Sequence, residues 1–126
     1  VIRTQVTETH PPKIKYFVVL GVTRDKIVFG FLLINSQINP NIFRDPLIRS
    51  WHIPIRAANY DFLSHDSFVD CTQFFEKDCI VLQQTVRDMP GTVVGKLSDS
   101  DFEAVKRAFK ATTTIATNDK RRFGLA

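Results

Sequence analysis

Between His65 and Cys71 the chain reads HDSFVDC, so seven positions carry an imidazole, a hydroxyl, two carboxylates and a thiol. Nucleophilic and general acid–base sites are built from such groups. A Ser-His-Asp relay would need Ser67, His65 and an aspartate on one side of the backbone. The stretch reads as a strand, in which alternate side chains point to opposite faces. His65, Ser67, Val69 and Cys71 then share one face, and Asp66, Phe68 and Asp70 share the other. That geometry excludes a local triad, and no G-x-S-x-G turn is present to expose a serine. Cys71, beside Val69 and ahead of Phe74 and Phe75, reads as a buried, inert thiol with a raised pKa. His65 stands where the loop NYDFLSH passes into the strand, a position from which an imidazole exchanges protons near neutral pH. The plainer alternative is a surface histidine bonded to its own loop, with Asp66 and Ser67 closing that loop through side-chain-to-backbone bonds.

A second group lies in the segment from 36 to 51, where Phe43, Arg44, Arg49 and Trp51 place aromatic rings beside guanidinium groups. Bases stack on such rings and phosphates pair with such cations, so this loop is a candidate surface for nucleic acid. In the competing arrangement Phe43 and Trp51 close over the core. The two cysteines, Cys71 and Cys79, form no C-x-x-C pair, and His10, His52 and His65 are far apart in sequence. No structural metal and no cofactor is expected from that pattern, and two unclustered cysteines suggest reduced thiols in the cytoplasm.

The elements that must position these groups are legible from pattern. The 126 residues suit a single domain, with 44% hydrophobic and 24% charged residues and eleven phenylalanines pointing to a compact β-rich core. VIRTQV (1–6) alternates as a half-buried strand, and the two prolines of THPPK (9–13) break it. IKYFVVLGV (14–22) and IVFGFLLIN (27–35) flank the polar turn TRDK, which predicts a hairpin buried on both sides. SQINPNIFRDP (36–46) reads as a loop and WHIPI (51–55) as an edge strand, because Pro54 cannot donate to a ladder. DSFVDC (66–71) is the next strand, TQFFEKD (72–78) a single helical turn, CIVLQQTV (79–86) an extended piece, and TVVGKL (92–97) follows the turn RDMPG. A helix is specified over about 98–111. Ser98 suits its N-cap, Asp101 its positive end, Leu97 and Phe102 form a hydrophobic staple, and Phe102, Val105 and Phe109 line one stripe. Residues 112–126 lose that pattern and read as a mobile basic tail.

The formal net charge of +4, concentrated in KRAFK (106–110) and DKRR (119–122), permits a polyanionic partner and equally suits a solubilising end. No apolar run approaches the ~20 residues of a membrane helix, and VIRTQVTETHPPK lacks the apolar core of a signal peptide, so a cytoplasmic protein is expected.

In order, the strand, basic loop, long hairpin, loop, short strand, DSFVDC strand and VVGKLSDSDFEAVKRAF resemble the MazF/PemK family of bacterial toxin–antitoxin systems. GKLSDSDFEAVKRAF (95–109) is similar to the family's final strand and C-terminal helix, and KYFVVLGV (15–22) to its second strand. FLLINS (31–36) is similar to its third strand and SFVDC (67–71) to the strand after the long loops. The likeness spans most of residues 1–111 and rests on the order of the pieces. It implies a small SH3-like β-barrel with a C-terminal helix, usually a homodimer restrained by an antitoxin, that cuts single-stranded RNA without a metal.

In that chemistry a ribose 2′-hydroxyl attacks the adjacent phosphate, which requires a base, an acid and a cation or donors for the charge on phosphorus. Carried over by position, the family's arginine before the second strand falls near Lys13 or Lys15, and its threonine or serine ending the third strand falls on Ser36. The usual Arg-Pro pair is replaced by PPKIKY, and Asp70 and Thr72 stand where some members place an arginine and an aspartate. A site rebuilt around His10, His65 and Lys13 is compatible with that pattern. The competing function is a non-catalytic module binding protein or nucleic acid through the 36–51 loop. The discriminating feature is whether Lys13 or Lys15, Ser36 and His65 converge on one concave surface.

Overall fold

A computed structural model describes residues 1–6, 13–36 and 45–125. It shows a small, β-rich α+β domain with an antiparallel sheet: β1 (Ile2–Val6), β2 (Lys13–Val22), β3 (Val28–Asn35), β4 (His52–Ile55), β5 (Ser67–Asp70) and β6 (Phe75–Asp78). The helices are α1 (Pro46–Ser50), α2 (Cys79–Asp88), α3 (Asp99–Ala111) and α4 (Thr117–Arg122). The strand order is β1-β2-β3-β5-β4, with β6 joining the same side of β3 as β5 but at its other end.

The hairpin expected from the two apolar runs is present, with Tyr16 opposite Ile34 and Val22 opposite Phe29. Its turn closes on Thr23, whose hydroxyl donates to Asp25 at 2.6 Å, and Lys26 takes a positive φ of 63°. Alternation along β3 divides the core. Phe29, Phe31 and Leu33 pack with Ile2 and Phe17 on one face, beneath Phe75 of β6 and Leu82 and Val86 of α2. Leu32 and Ile34 face the other way, against Val105 and Phe109 of α3 and Ile115 and Phe123 beyond it. Both faces are therefore apolar, and the six central residues of β3 are all buried.

β4 lies at the sheet edge, as Pro54 required. α3 begins where the capping residues placed it: the Ser98 hydroxyl accepts from the Asp101 amide at 3.2 Å.

Four expectations are corrected. TQFFEKD forms no helical turn; its second half is β6, which satisfies the backbone of Val28–Phe31 that would otherwise stand open on that side of β3. CIVLQQTV is not extended. It begins α2, because Cys79, Leu82 and Val86, at i, i+3 and i+7, lay one apolar stripe over the phenylalanine cluster. GKL (95–97), which the resemblance made the end of a final strand, lies in no strand: Pro90–Thr92 before it is a short 3-10 turn, and one bridge joins Val93 to Ile2. Residues 112–125 are not a loose tail. Ile115, Phe123 and Leu125 are buried, and the Lys120 ammonium donates to the carbonyls of Lys110 (3.0 Å) and Thr112 (2.5 Å), capping the C-terminal end of α3 with a cation.

Candidate functional site

The ends of three neighbouring strands and one loop enclose a cleft of about 310 Å³ lined by Lys15, Tyr16, Ile34, Ser36, Leu63, Ser64, His65 and Ser67. Register explains why residues so distant in sequence meet there. Tyr16 opposes Ile34 across the β2–β3 ladder, and Asn35 opposes Phe68 across the β3–β5 ladder. The residues just beyond those pairs, Lys15, Ser36 and Ser67, are thus brought to one end of the sheet. Leu63, Ser64 and His65 come from the loop between β4 and β5.

That loop is held at several points. The Asp66 carboxylate accepts from the Ala57 amide at 2.9 Å, and the Ser67 hydroxyl donates to the His65 carbonyl at 3.1 Å. The Leu63 amide donates to Tyr60, and the Tyr60 hydroxyl donates to the Asp101 carboxylate at 2.5 Å. Burial, helped by that carboxylate, pushes the Tyr60 phenol above its ordinary pKa, so it remains a hydrogen-bond donor. Asp66 and Ser67 therefore act as the loop-closing pair, and no Ser67–His65–Asp relay forms.

His65 itself is exposed, with Nδ1 3.0 Å from the Ser64 hydroxyl. The Lys15 ammonium donates to the side-chain oxygen of Asn35, its neighbour across the ladder, and strand alternation sets both side chains on the face opposite Tyr16 and Ile34. Among the described residues lining the cleft, none is acidic. One imidazole and several hydroxyls without a carboxylate, with Lys15 at their edge, make a surface suited to a phosphate and able to exchange a proton.

Lys15, Ser36 and His65, three of the residues singled out from the sequence, thus converge. Lys13 opens β2 opposite Val6, and its side chain lies outside the described part. His10, Phe43 and Arg44 also lie outside the described residues. Arg49 is exposed on α1. Trp51 is corrected: only 6% of its surface is exposed, and its ring belongs to the core between the sheet and α3. A ring of that area is worth more to the fold buried than left in water. It does not offer a stacking face.

Sequence reasoning missed Tyr16, Asn35, Leu63 and Ser64. Tyr16 lay concealed in an apolar run, and only its adjacency to Lys15 on a strand reaching a loop hinted at a rim position.

Two other chemically suggestive groups are structural. Burial, with the neighbouring Asp70 charge, pushes the Cys71 thiol up to about 12, and its Sγ lies 3.8 Å from the carbonyls of Val69 and Val105. Asp70 accepts from both the amide (2.8 Å) and the hydroxyl (2.5 Å) of Thr72, and the buried His52 ring stands with Nε2 3.6 Å from the same carboxylate. The side chains at positions 70 and 72 are thus bonded to each other, with the buried His52 ring of β4 beside the carboxylate. Among the described residues, no three His, Cys, Asp or Glu side chains cluster as a metal site would require, and no helix is long and apolar enough to cross a membrane.

Compared with protein-family models, curated proteins and solved structures, the chain matches none of them.

Proposed function

We propose that this cleft binds and cuts single-stranded RNA without a metal, as a cytoplasmic MazF/PemK-like endoribonuclease toxin. The proposed assembly is an SH3-like barrel acting as a homodimer under the control of an antitoxin. The observation that carries the reading is the convergence of Lys15, Ser36 and His65, from three separate segments, on one cleft whose described lining has no carboxylate.

In the proposed step the 2′-oxygen bonds to phosphorus while the bond from phosphorus to the 5′-oxygen breaks, leaving a 2′,3′-cyclic phosphate. His65 takes the 2′-hydroxyl proton. The Ser36 hydroxyl faces the charge that gathers on the non-bridging oxygens, the Lys15 ammonium adds its positive field from the adjoining edge of the sheet, and the departing 5′-oxygen takes a proton from solvent at the cleft mouth. Lysine supplies a point charge in place of the two-pronged grip of an arginine, so positioning falls to its tether, Asn35. An antitoxin would lay an acidic or amphipathic segment over the same groove, where opposite charge speeds encounter. Non-catalytic binding through the 36–51 loop is the weaker reading, because Trp51 is in the core.

The test is an RNA whose cleavage position has been mapped, compared with the same strand carrying a single 2′-deoxy nucleotide there. Loss of that cut, with others intact and 2′,3′-cyclic ends on the products, is the expected result. Cleavage that continues at the deoxy position would reject attack by the 2′-hydroxyl.

A further inference from the structure

The cleft joins two unlike walls. Ser36 and His65 supply a hydroxyl and an imidazole, whereas Tyr16, Ile34 and Leu63 supply apolar surface. Its volume of about 310 Å³ is at the small end of ligand sites and has room for one nucleotide rather than several.

The aromatic part of the apolar wall is braced from behind. The Tyr16 ring lies 5.5 Å from that of Phe62 at an interplanar angle of 48°, and Phe62 lies 5.5 Å from Tyr60 at 47°. Phe62 is seated over the backbone of Gly95, so closely that a Cβ there would stand 2.7 Å from its ring. Tyr60 is in turn pinned by its hydroxyl to Ser98 and Asp101 at the start of α3. A row of rings anchored on a helix terminus holds Tyr16 against reorientation, while β2 pairing fixes its backbone opposite Ile34. A ring fixed before binding loses little freedom when a flat ligand packs on it.

We propose that the cleft is a single-nucleotide subsite in which a base rests on Tyr16 while its phosphate is held by Ser36 and His65. The choice of a nucleotide as ligand rests on the nuclease reading above; the division of the cleft into a base wall and a phosphate wall does not. Because every base has a π-face, the wall is tolerant of base identity. Its contribution is a preference for nucleotides over phosphates that lack a base.

The experiment is a calorimetric titration of the whole chain with adenosine 3′-monophosphate, uridine 3′-monophosphate, ribose 5-phosphate and inorganic phosphate. It is repeated with Tyr16→Ala, Tyr16→Leu and Tyr16→Phe, each checked for a cooperative thermal transition. Both nucleotides are expected to bind roughly 5- to 150-fold more tightly than ribose 5-phosphate, the range measured for stacking one base on an aromatic ring. Tyr16→Leu is expected to erase that ratio while inorganic phosphate binds as before, and Tyr16→Phe is expected to keep it. Equal binding of nucleotides and ribose 5-phosphate, no binding of any probe, or a ratio unchanged in Tyr16→Leu would overturn the subsite. RNA cleavage measured alongside separates the two claims. A retained nucleotide preference without cleavage sinks the nuclease and leaves the subsite standing, and cleavage without the preference does the reverse.

Discussion

Two cysteines of the same chain have opposite environments. Cys71 is fully buried and hydrogen-bonds weakly to carbonyls, whereas Cys79 is half-buried at the start of α2. In native protein at pH 8, iodoacetamide should label Cys79 and leave Cys71 untouched, and both should react in denaturant; mass spectrometry reads the outcome. Equal native labelling would mean that the Cys71 pocket is open. The same burial gives a pH dependence. Below the ordinary thiol value of 9.0 Cys71 is protonated whether folded or not, and the thiol has no effect on stability. Between that value and about 12 the unfolded chain releases a proton that the folded chain retains, so stability falls as pH rises through this window. Cys71→Ala should flatten that part of the slope in denaturant melts. The character of Cys71 was legible because its apolar neighbours in sequence are also its neighbours in space. That of Trp51 was not, since an aromatic residue at the end of a loop serves a surface or a core equally well. Tyr16 was hidden for a related reason: inside an apolar run, nothing local marks the residue that reaches a rim.

At the scale of elements, legibility followed local signals. α3 announced itself through its cap and staple, and the β2–β3 hairpin through its runs and turn, because these depend on residues a few positions apart. β6 and α2 were exchanged because Phe75 and Leu82 obey a partner distant in sequence, the edge and face of β3. The packing of 112–125 was concealed likewise: Lys120 reads as a solvated charge until α3 presents it with two open carbonyls. One glycine reports on this second layer. A Cβ at Gly30 would lie 2.0 Å from the Phe74 ring, and that ring is wedged between Phe109 (centroids 5.1 Å apart) and Phe123 (4.9 Å). The ring has no free direction in which to yield. Gly30→Ala should therefore destabilise by about 1–3 kcal/mol, and adding Phe74→Leu should recover part of the loss by making room. If urea unfolding found Gly30→Ala as stable as the parent, the packing of the 72–74 segment and Phe123 against β3 would be refuted.

For the whole molecule, the cleft is a product of topology. Register brings Lys15 and Ser36 to one end of the sheet, and the β4–β5 loop, tied to α3 through Tyr60, brings His65 over them. The resemblance by position pointed to Lys13 or Lys15 and to Ser36, and the passage from loop to strand pointed to His65; pairing across the sheet explains why Lys15, Ser36 and His65 meet. The central claim is that they form one RNA-cutting site. Its most direct measurement is cleavage of a long single-stranded RNA by purified protein in excess EDTA, beside Lys15→Ala, Ser36→Ala and His65→Ala proteins that melt cooperatively. The account predicts discrete fragments from the parent. It also predicts a loss of roughly 100-fold or more in rate for His65→Ala and Lys15→Ala, the scale of removing a proton-transfer group or a charge-stabilising group, and a smaller loss for Ser36→Ala. RNA left intact by the folded parent, or cut equally well by all three variants, would contradict it.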